Sequence, residues 1–208
     1  MKSARIAAAL SAALLLLLAL YVAIVTFAFE AEQYPTNAPF GKMATELISY
    51  LKGEREALSE TLFTERERLH MVDVAALFAG GRRIALGALC GAVALLAFAL
   101  WRVGRWAIGR RAIGRGMLLG IGGFMGFVLL IGLWALFDFD GWFTAMHQIV
   151  FTNDLWLLDP ADSMLIQMLP IEFFIKAVQA IALRFLVLLV LLARLALLFM
   201  QRPRGTGR

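Results

Sequence analysis

The sequence predicts an all-α polytopic membrane protein with four transmembrane helices and a small helical cap on the extracytoplasmic side. Hydrophobic residues make up 62% of the chain and charged residues only 17%, whereas soluble globular proteins have about 45 to 50% and about 25%. A transmembrane helix needs about 20 mostly apolar residues, and four runs of the sequence are long enough. This composition excludes an ordinary soluble domain.

The four apolar runs organise the chain as a single membrane domain over residues 1–208. The first run is too long for the apolar core of a signal peptide, and no small-x-small cleavage site follows it, so we expect it to be a retained span. The predicted order is TM1 6–29, an outer cap segment 30–83, TM2 84–101, a cytoplasmic basic loop 102–115, TM3 116–137, an outer aromatic and acidic segment 138–172, TM4 173–200 and a basic cytoplasmic tail 201–208.

The distribution of charge predicts the orientation of the spans. All fifteen Asp and Glu residues lie between Glu30 and Asp73 or between Asp138 and Glu172. The N-terminal tail, the middle connection and the C-terminal tail carry Lys and Arg without acids. By the positive-inside rule the chain is N-in and C-in, with both acidic segments outside the cytoplasm. Since the basic residues flank spans and lack interleaved stacking aromatics, we expect no nucleic-acid partner.

The outer cap segment predicts two helices. Apolar residues of 43–51 recur at helical spacing with charged residues between them, which indicates a short amphipathic helix. Thr64–Glu67 has the pattern of a capping box that opens a second helix. The Gly80-Gly81 pair is expected to end that helix before the membrane.

The only two histidines, His70 and His147, lie one in each outer segment. Histidine exchanges protons near neutral pH because its ordinary pKa is about 6.5. A single interfacial histidine is typical of a structural residue, whereas a pair on one side of the bilayer is typical of an enzyme acting at that surface. Asp73 shares a helix face with His70 and is placed to hold its tautomer. Asp140 is expected to cap a helix on which Phe143 and His147 share a face.

Other chemistries have little support in the sequence. No Gly-x-Ser-x-Gly or Ser-x-x-Lys motif offers a serine nucleophile, and Cys90 lies inside TM2. The two histidines and Asp73 lack the local spacing of a zinc site. Gly120-Ile121-Gly122 follows no strand and indicates helix packing, not nucleotide binding. We therefore predict no metal and no cofactor.

Arg184 is a charged residue inside TM4. Charges within spans usually face a bundle interior or a cavity, which predicts that Arg184 holds a lipid phosphate or pairs with Asp138 or Asp140. If the embedded part of TM4 begins near residue 181, the side chain instead reaches to the outer interface by snorkelling. Membrane lipid is an expected partner of the protein, and it would contact Arg184 directly in the phosphate-binding alternative.

Motifs in both outer segments resemble a known family. The first segment carries His-x-x-Asp from His70, and the second reads Phe-x-x-x-His-x-x-x-Phe-x-Asn-Asp-x-Trp-x-Leu-Asp from Phe143, followed by Leu-Pro and a Phe-Phe pair. With four spans, this pattern is similar to the bacterial integral-membrane lipoprotein intramolecular transacylases (Lit-like proteins). The resemblance covers essentially the whole chain, while its specific motifs occupy residues 63–74 and 137–174.

The resemblance implies a site and a reaction. His70 and His147 would be a catalytic pair beneath the outer cap, and Phe143, Phe151, Asn153 and Trp156 would line an aromatic substrate site. The substrate would be a diacylglyceryl lipoprotein in the bacterial cytoplasmic (inner) membrane. Its sn-2 acyl chain would move to the α-amino group of the same cysteine, giving a lyso-form lipoprotein. Such a reaction needs no enzyme nucleophile, since holding amine and ester together supplies a large effective molarity.

Two other classes of function stay open at this point. The chain could be a non-enzymatic membrane interaction subunit whose cap binds a partner protein, or a membrane enzyme acting on another lipid. A transporter is disfavoured because the spans are few and none has the pattern of a broken helix. Glycine spacing in TM2 and TM3 suits packing within one bundle as well as association between copies, so the sequence assigns no oligomeric state.

Overall fold

The computed structural model describes residues 1–104 and 107–201, and over these residues the chain is helical with no strands. Arg105 of the predicted basic loop and all of the predicted basic tail except Gln201 lie outside the described residues. A 3₁₀ turn occupies Ala31–Gln33, and the α-helices are α1 Lys2–Ala28, α2 Phe40–Lys52, α3 Glu65–Val103, α4 Ala107–Phe137, α5 Phe139–Val150, α6 Met164–Met168 and α7 Ile171–Met200.

Four of these helices, α1, α3, α4 and α7, are long and apolar enough to cross a membrane. They contain the four predicted spans except for residue 29 at the end of TM1, and α2, α5 and α6 form the small additional helices. The all-α fold with four candidate spans is therefore confirmed. The 39 residues of α3 extend over about 58 Å at 1.5 Å per residue, roughly twice the thickness of the hydrocarbon core. Its charged N-terminal part therefore projects beyond the apolar span.

The chain divides into two compact units. Unit 1 consists of residues 1–22, 83–132 and 183–208, and unit 2 consists of residues 23–82 and 133–182. The residues outside the described ranges all fall in unit 1, so unit 2 is described throughout.

Small residues bring the helices of unit 1 together. Ala8 and Ala12 of α1 are fully buried, and the Ser11 hydroxyl donates to the Ala92 carbonyl of α3 at 2.8 Å. A methyl group added at Gly116 or Gly120 of α4 would overlap the backbone of α1. Such close backbone approach is how helices pack in lipid, where apolar burial alone gives no driving force.

Unit 2 has its own apolar core, to which α2 contributes a face of Met43, Ala44, Leu47 and Ile48. The predicted amphipathic helix is thus confirmed. It ends at Gly53, whose φ of 79° is left-handed and whose N–H bonds to the last carbonyls of the helix, a conformation that glycine adopts without steric penalty.

The predicted capping box is confirmed, and its carboxylate does more than cap. Glu67 Oε2 accepts from the Thr64 N–H at 2.7 Å, and the Thr64 hydroxyl accepts from the Glu67 N–H at 3.3 Å. Glu67 is 0% exposed, and its other oxygen accepts from the Ser163 hydroxyl at 2.6 Å and the Leu165 N–H at 2.8 Å. One buried carboxylate therefore joins the first turn of α3 to the first turn of α6.

The prediction that Gly80-Gly81 ends a helix is wrong, because α3 continues through both residues to Val103. A glycine inside a helix costs only about 1 kcal/mol relative to alanine. Breaking the backbone ladder next to the membrane would leave several amides without partners. Because the unpaired amides would cost more than the two glycines, the helix continues.

Two helix boundaries also differ from the predictions. Asp138, not Asp140, caps α5, accepting from the Gly141 N–H at 2.9 Å; the cap follows directly on the end of α4, so α5 begins before Asp140. The predicted basic loop 102–115 is largely helical, since α4 begins at Ala107. Continuing the helix satisfies backbone groups that a long loop at the membrane would expose.

We expect Glu67→Ala to destabilise unit 2 by roughly 2–4 kcal/mol, because it removes a charged acceptor and leaves buried donors without a partner. Thermal unfolding of the purified full chain measures this as a lower midpoint. Glu65→Ala, at an exposed position in the same helical turn, is the control. Equal midpoints for the two variants would contradict the anchoring role of Glu67.

Candidate active site

Unit 2 contains a cavity of about 480 Å³ whose wall is mostly apolar. The residues that line it come from the end of α1, from α2, α3, α5, α6 and α7, and from the segments before α2, between α5 and α6, and after α6. Polar side-chain atoms in its lining belong to Tyr34, His70, His147 and Trp156. The volume and the apolar lining of the cavity are those expected of a site that binds the apolar part of a ligand.

The structure brings the two histidines together in this wall. The ring centroids of His70 on α3 and His147 on α5 are 6.3 Å apart. His70 is 7% exposed, and it lies three residues after Glu67, whose carboxylate fixes the start of α3. The separation leaves room for reacting groups of a substrate to contact both rings.

One ring nitrogen of His147 has a defined role. Nδ1 lies 2.8 Å from the Phe143 carbonyl oxygen, and a carbonyl only accepts hydrogen bonds. Nδ1 of the neutral ring therefore carries the proton, and Nε2 carries the lone pair. Burial lowers the pKa of His147, while the bond to the Phe143 carbonyl raises it, and burial is the larger effect. A neutral His147 with a basic Nε2 is the state expected at neutral pH.

One buried ring nitrogen of His70 is left without a hydrogen bond by the part of the chain that the structure describes. Its Nδ1 has no hydrogen-bond partner among the described residues. A buried polar atom without a partner costs free energy, and such atoms often mark functional sites. A substrate group in the cavity is a suitable partner for this atom.

Aromatic rings surround the imidazoles. The His147 ring lies 4.2 Å from the Phe143 ring and 5.1 Å from the Trp156 ring, centroid to centroid. Phe151 is buried and lies edge-on to His70 at 5.1 Å. Phe174 of α7 packs on Phe143 at 5.0 Å. These rings limit the access of water to both histidines.

Asp73 and Asn153 make a different contact from the one that the sequence suggested. The Asn153 amide donates to Asp73 Oδ2 at 2.9 Å, and no hydrogen bond joins Asp73 to His70 within residues 1–104 and 107–201. Asn153 is exposed and lies outside the cavity lining. The pair instead fastens the segment after α5 to α3.

A second contact supports the same segment. The Arg66 guanidinium donates to the Asp154 carbonyl, and the Asn153 side-chain oxygen accepts from the Leu155 N–H at 3.0 Å. Because Arg66 and Asp73 are two turns apart on α3, they hold the segment at two points. Trp156, which follows directly, is thereby positioned on the His147 ring.

The remaining predicted residues are placed as follows. Phe143 and Trp156 line the cavity, whereas Phe151 contacts both imidazoles without lining it. Arg184 belongs to unit 1 and is not among the residues that line the cavity, so its proposed binding of a lipid phosphate stays a prediction. No group of residues suited to hold a metal ion occurs in the described part of the chain.

Sequence reasoning missed several residues of the site. Tyr34 lines the cavity, and its hydroxyl donates to the Ala28 carbonyl at 2.8 Å; burial raises the pKa of Tyr34 to about 12, so the hydroxyl stays protonated. Met146 and Phe173 also line it. The sequence pattern did not point to Met146, which is not at helical spacing from His147, or to Tyr34, which lies in an irregular segment. The Phe-Phe motif was the one pattern that could have indicated Phe173.

Fold and site together define a multi-pass helical membrane protein with an apolar pocket that presents two imidazoles. The sequence model of the family "Lipoprotein intramolecular transacylase Lit" matches residues 4–174, and no curated protein matches the chain.

Solved structures of one bacterial protein have a similar fold. The membrane integral lipoprotein intramolecular transacylase Lit from Bacillus cereus is 22% identical, with a TM-score of 0.74 over 94% of this chain and 95% of that chain. Two variants of it, with a histidine replaced by arginine or by alanine, are 23% identical with TM-scores of 0.67, covering 94% of this chain and 90% and 91% of theirs.

Because the family model matches most of its length, the chain belongs to the lipoprotein intramolecular transacylase family. It is therefore a membrane enzyme of the acyltransferase class that modifies lipoproteins, and the resemblance stated from its motifs is confirmed. The non-enzymatic alternatives are set aside by this membership.

We expect ¹⁵N NMR of histidine-labelled protein to show the Nδ1–H tautomer for His147 and a pKa below the usual value of about 6.5. Since burial lowers this pKa, the ring stays neutral at pH values where a free imidazole is half protonated. The His147→Asn variant assigns the signal. An Nε2–H tautomer, or a pKa above the usual value, would contradict the geometry described.

We expect Asp73→Ala and Asn153→Ala each to lower the rate of acyl transfer several-fold, and the double variant to be no slower than the worse single variant. Residues joined by one hydrogen bond behave in this non-additive way. Asp162→Ala, at an exposed position in the same segment, is the control. Fully additive losses would show that the two residues act independently.

Proposed function

We propose that this enzyme moves the sn-2 acyl chain of a diacylglyceryl-cysteine lipoprotein to the α-amino group of the same cysteine, with His70 and His147 as the proton-transferring pair. One observation carries the proposal: two imidazoles, 6.3 Å apart, occupy the wall of an otherwise largely apolar cavity. An apolar cavity suits acyl chains, and paired imidazoles suit an ester and an amine that must exchange a proton.

The reaction balances without an enzyme nucleophile. The neutral α-amine attacks the sn-2 carbonyl carbon, a C–N bond forms, and the ester C–O bond breaks. One proton leaves the amine and one arrives at the glyceryl oxygen. Because amine and ester belong to one molecule, holding them in contact supplies up to ~7–11 kcal/mol of the barrier.

The tautomer of His147 suggests the division of roles. Nδ1–H is committed to the Phe143 carbonyl, so Nε2 accepts the proton of the attacking amine. The proton then passes from His147 to His70, which donates it to the leaving glyceryl oxygen, so both rings end neutral as they began. General acid-base catalysis of this kind contributes about 10²- to 10⁴-fold.

The aromatic walls have a role in selectivity. Water in the cavity would hydrolyse the ester and release a fatty acid. Phe143, Phe151 and Trp156 surround the imidazoles and restrict water at the reacting carbonyl. Transfer to the amine then competes successfully with hydrolysis.

The charge distribution supports a location for the reaction. With the N-terminus and C-terminus in the cytoplasm, as the positive-inside rule predicts, unit 2 would face the extracytoplasmic side. Lipoprotein substrates anchored by their diacylglyceryl group in the cytoplasmic membrane would reach the cavity from that surface.

We expect His70→Asn and His147→Asn each to reduce acyl transfer by ~10²-fold or more. The chain is expressed in a bacterium that makes only diacylglyceryl lipoproteins with free amino termini, and tandem mass spectrometry reads the N-terminal lipopeptide. Wild-type enzyme should leave total mass unchanged while one acyl chain appears on the α-amine.

Gln148→Asn is the matched control, since Gln148 is exposed and adjacent to His147 on α5. It should transfer the chain at the wild-type rate. If both acyl chains stay on glycerol in the presence of folded wild-type protein, the proposed reaction is wrong. If either histidine variant keeps full activity, the proposed catalytic pair is wrong.

A further inference from the structure

Unit 1 contains a second cavity, of about 400 Å³, whose lining is basic. It lies between the first turns of α1 and the N-terminal part of α4. Four of its lining residues carry positive charge and two are apolar: Lys2, Arg5, Arg111, Arg115, Met1 and Ala112.

The backbones of α1 and α4 pack closely beside these cationic residues. A Cβ atom at Gly116 would overlap the Arg5 carbonyl oxygen, and one at Gly120 would overlap the Ala9 carbonyl oxygen. The two backbones are therefore in contact immediately beside the cavity. Arg115 directly precedes Gly116, and the Arg5 carbonyl is the group that Gly116 approaches, so the backbones of two lining residues lie at the crossing point.

The sequence of unit 1 provides no carboxylate side chain to neutralise this cluster. All fifteen acidic residues of the protein lie between Glu30 and Asp73 or between Asp138 and Glu172, and both ranges belong to unit 2. Like charges held close together repel each other. A site of four cations without a carboxylate in its own unit is suited to an external anion.

We propose that this cavity binds a phosphate group, for which anionic phospholipids of the membrane and free phosphate are the two sources. Arginine presents several donors that match phosphate oxygens, and basic pockets between transmembrane helices bind lipid headgroups. Leu119, one turn after Arg115, is 61% exposed, so an apolar side chain for an acyl chain to contact lies one turn along α4 from the cavity. This proximity favours the lipid headgroup.

The test uses the purified full chain in nanodiscs of phosphatidylcholine, with phosphatidylglycerol added, and native mass spectrometry to count retained anionic lipid. Arg111→Gln/Arg115→Gln removes two lining cations. Arg83→Gln/Arg102→Gln removes the same charge from exposed positions of unit 1 outside the lining. We expect the first pair to weaken phosphatidylglycerol binding about tenfold or more and the control pair to change it less than about twofold.

A parallel titration of inorganic phosphate into phosphatidylcholine nanodiscs separates the sources. Saturable phosphate binding that the Arg111→Gln/Arg115→Gln variant loses, without selectivity for phosphatidylglycerol, assigns the cavity to free phosphate. Equal loss of anionic lipid in both double variants indicates diffuse surface charge and overturns the proposal. If neither double variant loses anionic lipid or phosphate binding, the proposal is also overturned. None of these outcomes bears on acyl transfer, so this inference and the proposed function are tested separately.

Discussion

The Glu67 carboxylate is the interaction on which the geometry of unit 2 depends. It is fully buried, and its two oxygens accept from the start of α3 and from the start of α6, which are almost one hundred residues apart in sequence. A buried carboxylate is tolerated only when hydrogen-bond donors replace its hydration. That requirement brings the two segments to one point, and His70 follows one turn later on α3.

The other parts of the site are held in place by hydrogen bonds and by one helix cap. Asn153 and Arg66 fasten the segment after α5 to α3, and the Asp138 cap sets where α5 begins. His147 is then held by a bond to its own helix backbone and by aromatic rings on several sides. Burial in a wall with few polar groups lowers the pKa of His147. The ring therefore stays neutral, and its Nε2 is available as a base.

The sequence predicted the elements of this fold better than their contacts. Long apolar runs and the Thr64–Glu67 capping box depend on residues that are close in the chain, so composition and spacing were sufficient. The Gly80-Gly81 prediction failed because local glycine propensity was outweighed by the need to keep backbone hydrogen bonds at the membrane. The Asp73–Asn153 contact links residues eighty positions apart. The local sequence does not indicate that Asp73 bonds to Asn153 instead of to His70 on its own helix face.

The same division holds for the candidate site. The histidines were found because they are the only two in the chain, and the motif resemblance added Phe143, Phe151 and Trp156. Tyr34 and Met146 line the cavity only through the way that the helices of unit 2 pack. The second role of Glu67, as acceptor for α6, also arises from packing, since Ser163 has no sequence relation to the capping box.

In the proposed reaction the acyl chain passes directly from ester to amine within one bound substrate, while the histidines only move protons. A double-label crossover experiment tests this direct transfer. Two lipopeptides are mixed with the enzyme, one unlabelled and one carrying both a heavy peptide and a deuterated sn-2 chain. Direct transfer within one substrate predicts that every product keeps its own label, as seen by mass spectrometry. Products that combine the heavy peptide with an unlabelled chain would require an acyl-enzyme or transfer between molecules, and they would rule out direct transfer.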